Sequence, residues 1–298
     1  MSRQTTIDLD TQLRDGSVMA PYVHDCLTAR LAEVTGFRTF IVSASSVAMT
    51  FAMPDMGLLT ADDMIKAASR IADFLPYPVI TDFPGGFSTT AYGVHHNVER
   101  LLPSGTQAVI IDDTTPGQDG MVVAEELYLA KLAAAVAATE STGCQVIAAT
   151  AAKSSLGLDE AVKRLQRAEA AGVGLVMARG LTTLSECRTL AASVTAPTML
   201  DECTHHGGDD PIGIDDAFSL GFAIAAVRYV EKASLYGLMD FGRHTRADNT
   251  TVYHDDHDFD GRLPSLSYRS FYSDQWRLLE REIDADVRAV MSGKEARA

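Results

Sequence analysis

Short apolar runs rich in β-branched residues alternate with helix-like segments along most of this chain. The runs predict strands over residues 18–23, 39–42, 79–82, 108–112, 146–149, 174–177, 198–201 and 223–227. The amphipathic segments between them predict helices, most clearly over residues 61–74, 122–138, 158–171 and 184–194. Strands that alternate with helical crossovers form parallel sheets, and eight of them can close into a ring. We therefore predict a (β/α)8 TIM-type barrel.

The chain of 298 residues contains no low-complexity linker and no long-period repeat. A barrel of this type needs about 250 residues, so one domain accounts for most of the length. We assign the barrel to residues 1–237. Residues 238–298 begin with a polar stretch of poor periodicity and end in a predicted helix over 273–291. We expect this extension to pack on the barrel or on a neighbouring subunit.

The net charge of −15 limits the partners of the chain. A surface this acidic repels phosphate backbones and anionic lipid heads, so we expect no nucleic acid and no membrane as partners. The four cysteines are scattered, the amino-terminal segment lacks the apolar run of a signal peptide, and no apolar run is long enough to span a membrane. We therefore expect a cytoplasmic protein with reduced cysteines. An anionic substrate would need a local cation.

Polar residues follow the predicted strands at their carboxyl ends, where barrels of this type place their active sites. They are His24, Asp25, Ser43, Ser45, Asp82, Asp112, Asp113, Thr150, Arg179, Asp201 and Glu202, with Asp55 in the loop after the second strand. Carboxylates that lie this close raise one another's pKa unless a cation intervenes. A hard divalent ion such as Mg²⁺ is the simplest such cation, because it prefers oxygen ligands. The alternative is that these are ordinary rim residues, hydrogen-bonded to loop amides and water.

Six segments carry a resemblance to a known family. They are SASSVAMTFAMPDMGLLT at 43–60, APYVHDCLTARLAEVTGF at 20–37, PVITDFPGGFS at 78–88, AVIIDD at 108–113, VIAATAA at 146–152 and LDEAVKRLQRAEAAGVGLVMARG at 158–180. Together they resemble the isocitrate lyase and phosphoenolpyruvate mutase superfamily. The first segment is closely similar to the SGxGxAxxxGxPDxGLLT pattern of its methylisocitrate lyase branch. The resemblance covers residues 19–237.

This resemblance implies chemistry on a Mg²⁺-bound 2-oxo acid or its enolate, next to which a carbon–carbon or carbon–phosphorus bond is made or broken. The substrate carboxylate would be received by Ser43, Ala44 and Ser45. Asp55 would lie beside the reacting group. The ion would be held, directly or through water, by Asp82 and Asp112, and we expect Asp113 or Asp201 as a further ligand. It would act as a Lewis acid on the enolate oxygens.

The chain departs from the family at several positions that carry chemistry. The departures are Pro84 and Ala151 for aspartate, Ala149 for arginine, Asp112 and Arg179 for glutamate, His24 for tyrosine, and TPGQDG at 115–120 for the catalytic loop of the lyases. Arg179 adds a cation where Ala149 loses one, and a guanidinium suits carboxylate binding. We therefore expect Arg179 and Asp201 to bind substrate. We expect His24 or Glu202 to move protons, since an imidazole titrates near neutral pH.

The sequence thus predicts a lyase-like enzyme that acts on a carbon–carbon bond of a small 2-oxo or 2-hydroxy carboxylate through a Mg²⁺-stabilised, enolate-like state. One alternative is a phosphonopyruvate-type mutase or hydrolase, or a decarboxylase. A second is a non-catalytic barrel with a decayed metal site, which the losses at Pro84, Ala149 and Ala151 favour. The apolar face of the last helix needs a partner, and the family often exchanges C-terminal helices. We therefore expect a homo-oligomer, either a dimer or a tetramer.

Overall fold

The computed structural model describes residues 7–114, 121–202, 212–253 and 273–291. The strands in these ranges are β1 (Val18–Val23), β2 (Phe40–Val42), β3 (Val79–Asp82), β4 (Ala108–Asp112), β5 (Gln145–Thr150), β6 (Leu175–Ala178), β7 (Thr198–Leu200) and β8 (Phe222–Val227). Each strand pairs in parallel with the next, and β1 pairs with β8, so the sheet closes into a barrel. The predicted (β/α)8 barrel is confirmed, with each predicted strand within one residue of the observed one at either end.

Helices follow the strands as the sequence pattern predicts. In the described ranges they are α1 (Leu9–Asp15), α2 (Cys26–Val34), α3 (Ala44–Thr50), α4 (Ala61–Phe74), α5 (Ala91–Leu101), α6 (Glu125–Thr139), α7 (Ala152–Leu156), α8 (Leu158–Ala170), α9 (Leu184–Ser193), α10 (Ile214–Ser219), α11 (Tyr229–Asp248) and α12 (Ser273–Met291). Thr60 and Asp63 form a capping box at the start of α4, and Thr183 and Glu186 form another at the start of α9. These side chains satisfy backbone N–H groups that have no partner within the helix.

Two apolar layers lie on the two faces of the closed sheet. Side chains alternate along each strand, so Ala108 and Ile110 of β4 belong to the inner layer, while Val109 and Ile111 pack against the helices. Leu9 of α1 joins the inner layer, and its backbone N–H donates to the side chain of Gln107, just before β4. Helix α1 therefore packs at the amino ends of the strands, opposite the end at which a site is expected.

The chain beyond β8 differs from the expectation. Helix α11 runs through the predicted boundary at residue 237 and into the segment that we expected to be poor in periodicity. Most of its side chains are exposed or half-buried. By its internal contacts the chain divides into Met1–Ser234 and Leu235–Ala298. None of the helices in the described ranges combines the length and apolar character needed to cross a membrane.

Candidate functional site

Charged residues meet at the carboxyl end of the barrel. Asp82 is the last residue of β3 and Asp112 the last of β4. Arg179 and Asp201 follow β6 and β7 directly. Asp82 and Asp112 are buried, whereas Arg179 and Asp201 are half-buried and reach the mouth of the barrel. Substrate sites of (β/α)8 enzymes lie at this end, so the group is the candidate site.

A single guanidinium contacts all three of these carboxylates. Nη2 of Arg179 lies 3.0 Å from Oδ1 of Asp82 and 3.3 Å from Oδ2 of Asp112. Nη1 of Arg179 lies 3.4 Å from Oδ1 of Asp201. We expected a cation between these carboxylates, and in the structure that cation is the Arg179 side chain. Nε of Arg179 is buried and has no hydrogen-bond partner among the described residues.

The electrostatics of the group follow from burial and from these ion pairs. Burial alone would lower the pKa of Arg179, but the carboxylates of Asp82, Asp201 and Asp112 raise it well above its ordinary value, so the guanidinium stays charged. Burial also raises the pKa of Asp82 above its usual 3.8, and the attraction of Arg179 offsets that rise only in part. Asp82 therefore takes up a proton at a higher pH than an exposed aspartate does.

Asp112 is held in place by a neighbouring turn as well as by Arg179. Its Oδ1 accepts hydrogen bonds from the backbone N–H of Gly85 at 2.9 Å and from the hydroxyl of Thr114 at 2.8 Å. Gly85 has a φ of +55°, in the left-handed region that favours glycine. The buried ammonium of Lys131 donates to the carbonyl of Gly85 at 3.1 Å, and this hydrogen bond helps to hold the turn in place. One carboxylate oxygen of Asp112 is thus occupied by hydrogen bonds, and the other faces the guanidinium.

A second guanidinium, which the sequence analysis missed, extends the group toward β8. Arg228 directly follows β8, and its guanidinium lies 4.0 Å from the ring centroid of Tyr22. It also lies 3.7 Å from Asp201 and 3.4 Å from Glu202. The Tyr22 hydroxyl donates to Asp201 at 2.8 Å. Arg228 follows the end of a strand, so the rule that selected Arg179 also applies to it.

The structure does not bring Asp113 to this group. Asp113 follows Asp112 in the chain and lies on the other side of the sheet, because neighbouring side chains of a strand point in opposite directions. Its buried carboxylate accepts from the Thr150 hydroxyl at 2.6 Å and from the Ala151 N–H at 2.8 Å. It also forms a 3.0 Å ion pair with the buried Arg164 of α8. The expectation that Asp113 shares a cation with Asp112 is therefore corrected. Asp113 is paired with Arg164 instead, and this ion pair links the barrel to α8.

The two residues expected to move protons differ in their surroundings. Glu202 is paired with Arg228 at 3.4 Å and with Lys232 at 3.3 Å, so its charge is matched by two cations. His24 follows β1 and is half-buried. Its Nδ1 is buried and makes no hydrogen bond to any described residue. Of the two, His24 is the one with an uncommitted polar atom.

The predicted carboxylate loop lies at the start of α3. Ser43 caps the helix, and its hydroxyl lies 3.0 Å from the hydroxyls of Ser45 and of Ser46. Ala44 is buried, and Ser45 is half-buried at the first turn. Asp55 is exposed on a turn between α3 and α4, where no contact with the Arg179 group is recorded in the described ranges. The structure thus brings together Asp82, Asp112, Arg179, Asp201 and Glu202, and leaves Asp55 apart.

The residues present do not fit a resident divalent ion in this arrangement. Mg²⁺ binds oxygen ligands at about 2.0–2.1 Å and repels other cations. The carboxylate oxygens of Asp82 and Asp112 that face the mouth already contact the Arg179 guanidinium. Within the described ranges, no three His, Cys, Asp or Glu residues form a group that could hold a metal ion. What the arrangement provides is a guanidinium whose Nε–H has no partner among the described residues, and such a group suits an oxyanion or a carboxylate.

Comparisons with known proteins agree with the fold and place the chain in a family. A family model described as phosphoenolpyruvate phosphomutase matches residues 10–224. A 2-methylisocitrate lyase of Aeropyrum pernix is 32% identical over 213 residues, covering 70% of this chain and 68% of the relative.

Two solved structures share the architecture. One is 2,3-dimethylmalate lyase, described as a PEP mutase/isocitrate lyase superfamily member, with a TM-score of 0.83, 24% identity and coverage of 92% of this chain and 97% of that one. The other is phosphonopyruvate hydrolase in complex with oxalate and Mg²⁺, with a TM-score of 0.80, 26% identity and coverage of 92% and 96%. The resemblance predicted from the sequence is confirmed, and the chain is an enzyme that belongs to the phosphoenolpyruvate phosphomutase family.

Proposed function

We propose that this enzyme makes or breaks a carbon–carbon bond in a small 2-oxo or 2-hydroxy carboxylate at the carboxyl end of its barrel. The observation that carries the proposal is the charged Arg179 guanidinium, held by three carboxylates and retaining one N–H without a partner in the described ranges. A guanidinium in such a place can take a carboxylate or the oxygen of an enolate. The relative from Aeropyrum pernix is a lyase by name, which supports the same reaction class.

Substrate binding is assigned to the two guanidinium groups and to the start of α3. Arg179 would donate its free Nε–H to one carboxylate oxygen of the substrate, and Arg228 would take a second anionic group beside Asp201. Asp201 would keep both guanidiniums oriented, because the hydrogen bond from the Tyr22 hydroxyl fixes the position of the Asp201 carboxylate. A further substrate oxygen would be received by Ser43, Ala44 and Ser45.

Bond cleavage in such a substrate needs a base, a cation and a proton donor. The base removes the proton from the hydroxyl that becomes a carbonyl, and the electrons of the O–H bond form the C=O bond. The carbon–carbon bond then breaks, and its electron pair becomes an enolate, whose carbon finally takes a proton. We assign the base to His24, because its Nδ1 is buried and unpaired within the described part of the chain. Glu202 is the second candidate, and Asp55 is proposed to lie beside the reacting group when substrate is bound.

No step is assigned to Mg²⁺, although the resemblance implied it and a relative's structure contains it. The mouth-facing oxygens of Asp82 and Asp112 are held by Arg179. The charge of an enolate would therefore be stabilised by the guanidinium.

The test is a product screen with the purified chain. Alkylated malates and citrates, oxaloacetate and phosphonopyruvate are each incubated with the enzyme and followed by ¹H and ³¹P NMR. We expect release of a 2-oxo acid from one of the alkylated substrates, with loss of that activity in Arg179→Ala. The matched control is Arg100→Ala, which removes a surface arginine paired with Asp62 and should leave turnover intact.

The other outcomes of this screen identify the alternatives. Phosphate released from phosphonopyruvate would assign the chain to carbon–phosphorus chemistry, and pyruvate formed from oxaloacetate would make it a decarboxylase. Consumption of none of these compounds would contradict the proposed substrate class.

We further propose the cellular setting that the sequence predicted. The acidic chain would act in the cytoplasm on a small carboxylate, without nucleic acid or a membrane as partner. It would assemble into a dimer or tetramer, since α12 exposes Trp276, Ile283 and Val287 at helical spacing. Size-exclusion chromatography with light scattering would test the oligomer, and a monomer at all concentrations would contradict it.

A further inference from the structure

Three serine hydroxyls at the start of α3 connect to a carboxylate of α11. The Ser43 hydroxyl lies 3.0 Å from the hydroxyl of Ser45 and 3.0 Å from that of Ser46. The Ser46 hydroxyl also donates to Oε2 of Glu231 at 2.9 Å. These four residues form what we call the serine–glutamate network. Its two inner members, Ser43 and Ser46, are buried, whereas Ser45 and Glu231 at its ends are half-buried.

The network lies beside the base assigned in the proposed function. Ser43 directly follows β2, and Glu231 lies in the first turn of α11, just beyond β8. Strand β1 lies between β2 and β8 in the barrel, and His24 directly follows β1. The contact between Ser46 and Glu231 therefore spans the carboxyl end of β1. A substrate group bound at Ser45 would lie next to the strand end that His24 follows.

The hydrogen-bonding capacity of the network is used by its own contacts. An ionised carboxylate accepts hydrogen bonds and donates none, so the contact between Ser46 and Glu231 uses the Ser46 proton. Two further contacts join the three hydroxyls, and two hydroxyl protons remain for them. The outermost hydroxyl, that of Ser45, therefore presents lone pairs to a ligand. The partner that fits a lone pair is a group with a proton of its own.

The charge of Glu231 favours the same kind of partner. The contact that Glu231 makes with Ser46 is with a neutral hydroxyl, which does not cancel the negative charge. A second carboxylate bound at the network would be repelled by that charge in these half-buried surroundings. The substrate carboxylate has a better partner in the Arg179 guanidinium. The network is thus suited to a neutral group that can donate a hydrogen bond.

We infer that the serine–glutamate network binds the hydroxyl of the substrate rather than its carboxylate, and that Glu231 makes the enzyme select 2-hydroxy over 2-oxo carboxylates. The substrate hydroxyl donates to Oγ of Ser45 until His24 removes its proton. A carbonyl oxygen at the same place brings no proton and meets the lone pairs of Ser45, so a 2-oxo acid is bound more weakly. This inference rests on the proposed function and narrows its substrate class.

The experiment compares acids that differ only in the oxygen at the second carbon. The pairs are lactate with pyruvate and 2-hydroxyglutarate with 2-oxoglutarate, with both enantiomers of each hydroxy acid, and binding is measured by titration calorimetry. We expect wild type to bind one enantiomer at least about tenfold more tightly than its 2-oxo partner, because the keto acid lacks the donor. In Glu231→Gln the two acids should bind within about threefold of each other, because the amide can donate and carries no charge.

Three further variants separate the roles. Ser45→Ala should also lose the preference for the hydroxy acid, because it lacks the accepting oxygen. Arg179→Ala should weaken binding of both acids to a similar extent, because they share the carboxylate. The matched control is Glu99→Gln, which removes a surface carboxylate paired with His95 on α5 and should keep the wild-type preference.

The outcomes distinguish this inference from the proposed function. Equal binding of the paired acids by wild type would overturn the inference and leave the proposed function standing. A wild-type preference retained in a folded Glu231→Gln would overturn the role of Glu231. If Glu231→Gln does not fold, a preference retained in Ser45→Ala would overturn the network as the hydroxyl subsite. Failure of wild type to bind any of these acids would contradict the proposed function and the inference together.

Discussion

Arg179 and Asp82 form a 3.0 Å ion pair between strands that are not neighbours in the barrel. Asp82 ends β3, and Arg179 follows β6. The contact spans the mouth and puts a fixed positive charge where the family resemblance implied a metal ion. The electrostatic role of the site can therefore be tested by substitution of Arg179.

Removal of Arg179 should destabilise the enzyme. In Arg179→Ala, the carboxylates of Asp82 and Asp112 lose the cation that contacts both of them. We expect a loss of about 3 kcal/mol in the free energy of unfolding at pH 7, because breaking a buried ion pair leaves uncompensated charge. Part of the loss should be regained at acidic pH, as Asp82, whose pKa is raised by burial, takes up a proton. Urea denaturation at pH 7 and pH 5 measures both effects.

The control for that measurement is Arg100→Ala. Its pair with Asp62 lies on the surface, and exposed ion pairs contribute about 0–1 kcal/mol. Equal stability of Arg179→Ala and Arg100→Ala at pH 7 would show that the Arg179 pairs are not important for the fold.

Asp82 should give the stability of the protein a specific pH dependence. Burial raises its folded-state pKa above the unfolded value of 3.8. A group whose folded pKa is raised contributes stability that is fully present below its unfolded pKa, and this contribution is lost as the pH rises through its folded pKa. Wild type should therefore lose some stability relative to Asp82→Asn as the pH rises from 3.8. Parallel stability curves for the two proteins over this range would contradict the assignment.

Binding of an anion should be coupled to protonation of the same carboxylate. The three aspartates outnumber the guanidiniums of Arg179 and Arg228 by one, so an added anion favours a proton on Asp82. We expect wild type to bind oxalate more tightly as the pH falls toward the raised pKa of Asp82, with uptake of protons from the buffer. Calorimetry in two buffers of different ionisation enthalpy measures that uptake. Asp82→Asn should bind oxalate with less proton uptake, and equal uptake in the two proteins would refute this coupling.

Asp113 should matter for stability and not for the chemistry. Its carboxylate is fully buried and pairs with Arg164 at 3.0 Å. We expect Asp113→Asn to lower the free energy of unfolding by about 3 kcal/mol, because Arg164 loses its buried partner. Turnover per folded molecule should stay within about threefold of wild type, since the change lies outside the group around Arg179. A large loss of turnover at unchanged stability would contradict this prediction and would show that Asp113 contributes to the chemistry of the site.

The barrel and most of the candidate site could be predicted from the sequence. Buried strands of a parallel sheet are continuous apolar runs, and each polar residue that ends such a run marks the carboxyl end of a strand. This reasoning found Asp82, Asp112, Arg179 and Asp201. It treated Asp113 as equivalent to Asp112, although side chains alternate along a strand and only one of the two can point inward.

Other features depend on closure of the barrel and have no local signal. The distance between Arg179 and Asp82 depends on how strands separated in the sheet curve toward each other. The pairing of Asp113 with Arg164 of α8 depends on helix packing in the same way. The expectation of Mg²⁺ followed from the carboxylates and from the family resemblance, because the sequence did not indicate that Arg179 reaches these carboxylates. Arg228 was omitted although it also follows a strand.

We propose that the site binds carboxylate through Arg179 without a metal, and a thermal melt with oxalate is the decisive measurement. A ligand at a hundredfold excess over its Kd stabilises the native state by about 2.7 kcal/mol, which raises the Tm of a chain this long by a few degrees. We predict that oxalate raises the Tm of wild type equally in EDTA and in Mg²⁺, and that Arg179→Ala loses the shift in EDTA. A shift in wild type that appears only when oxalate and Mg²⁺ are both present would contradict the claim.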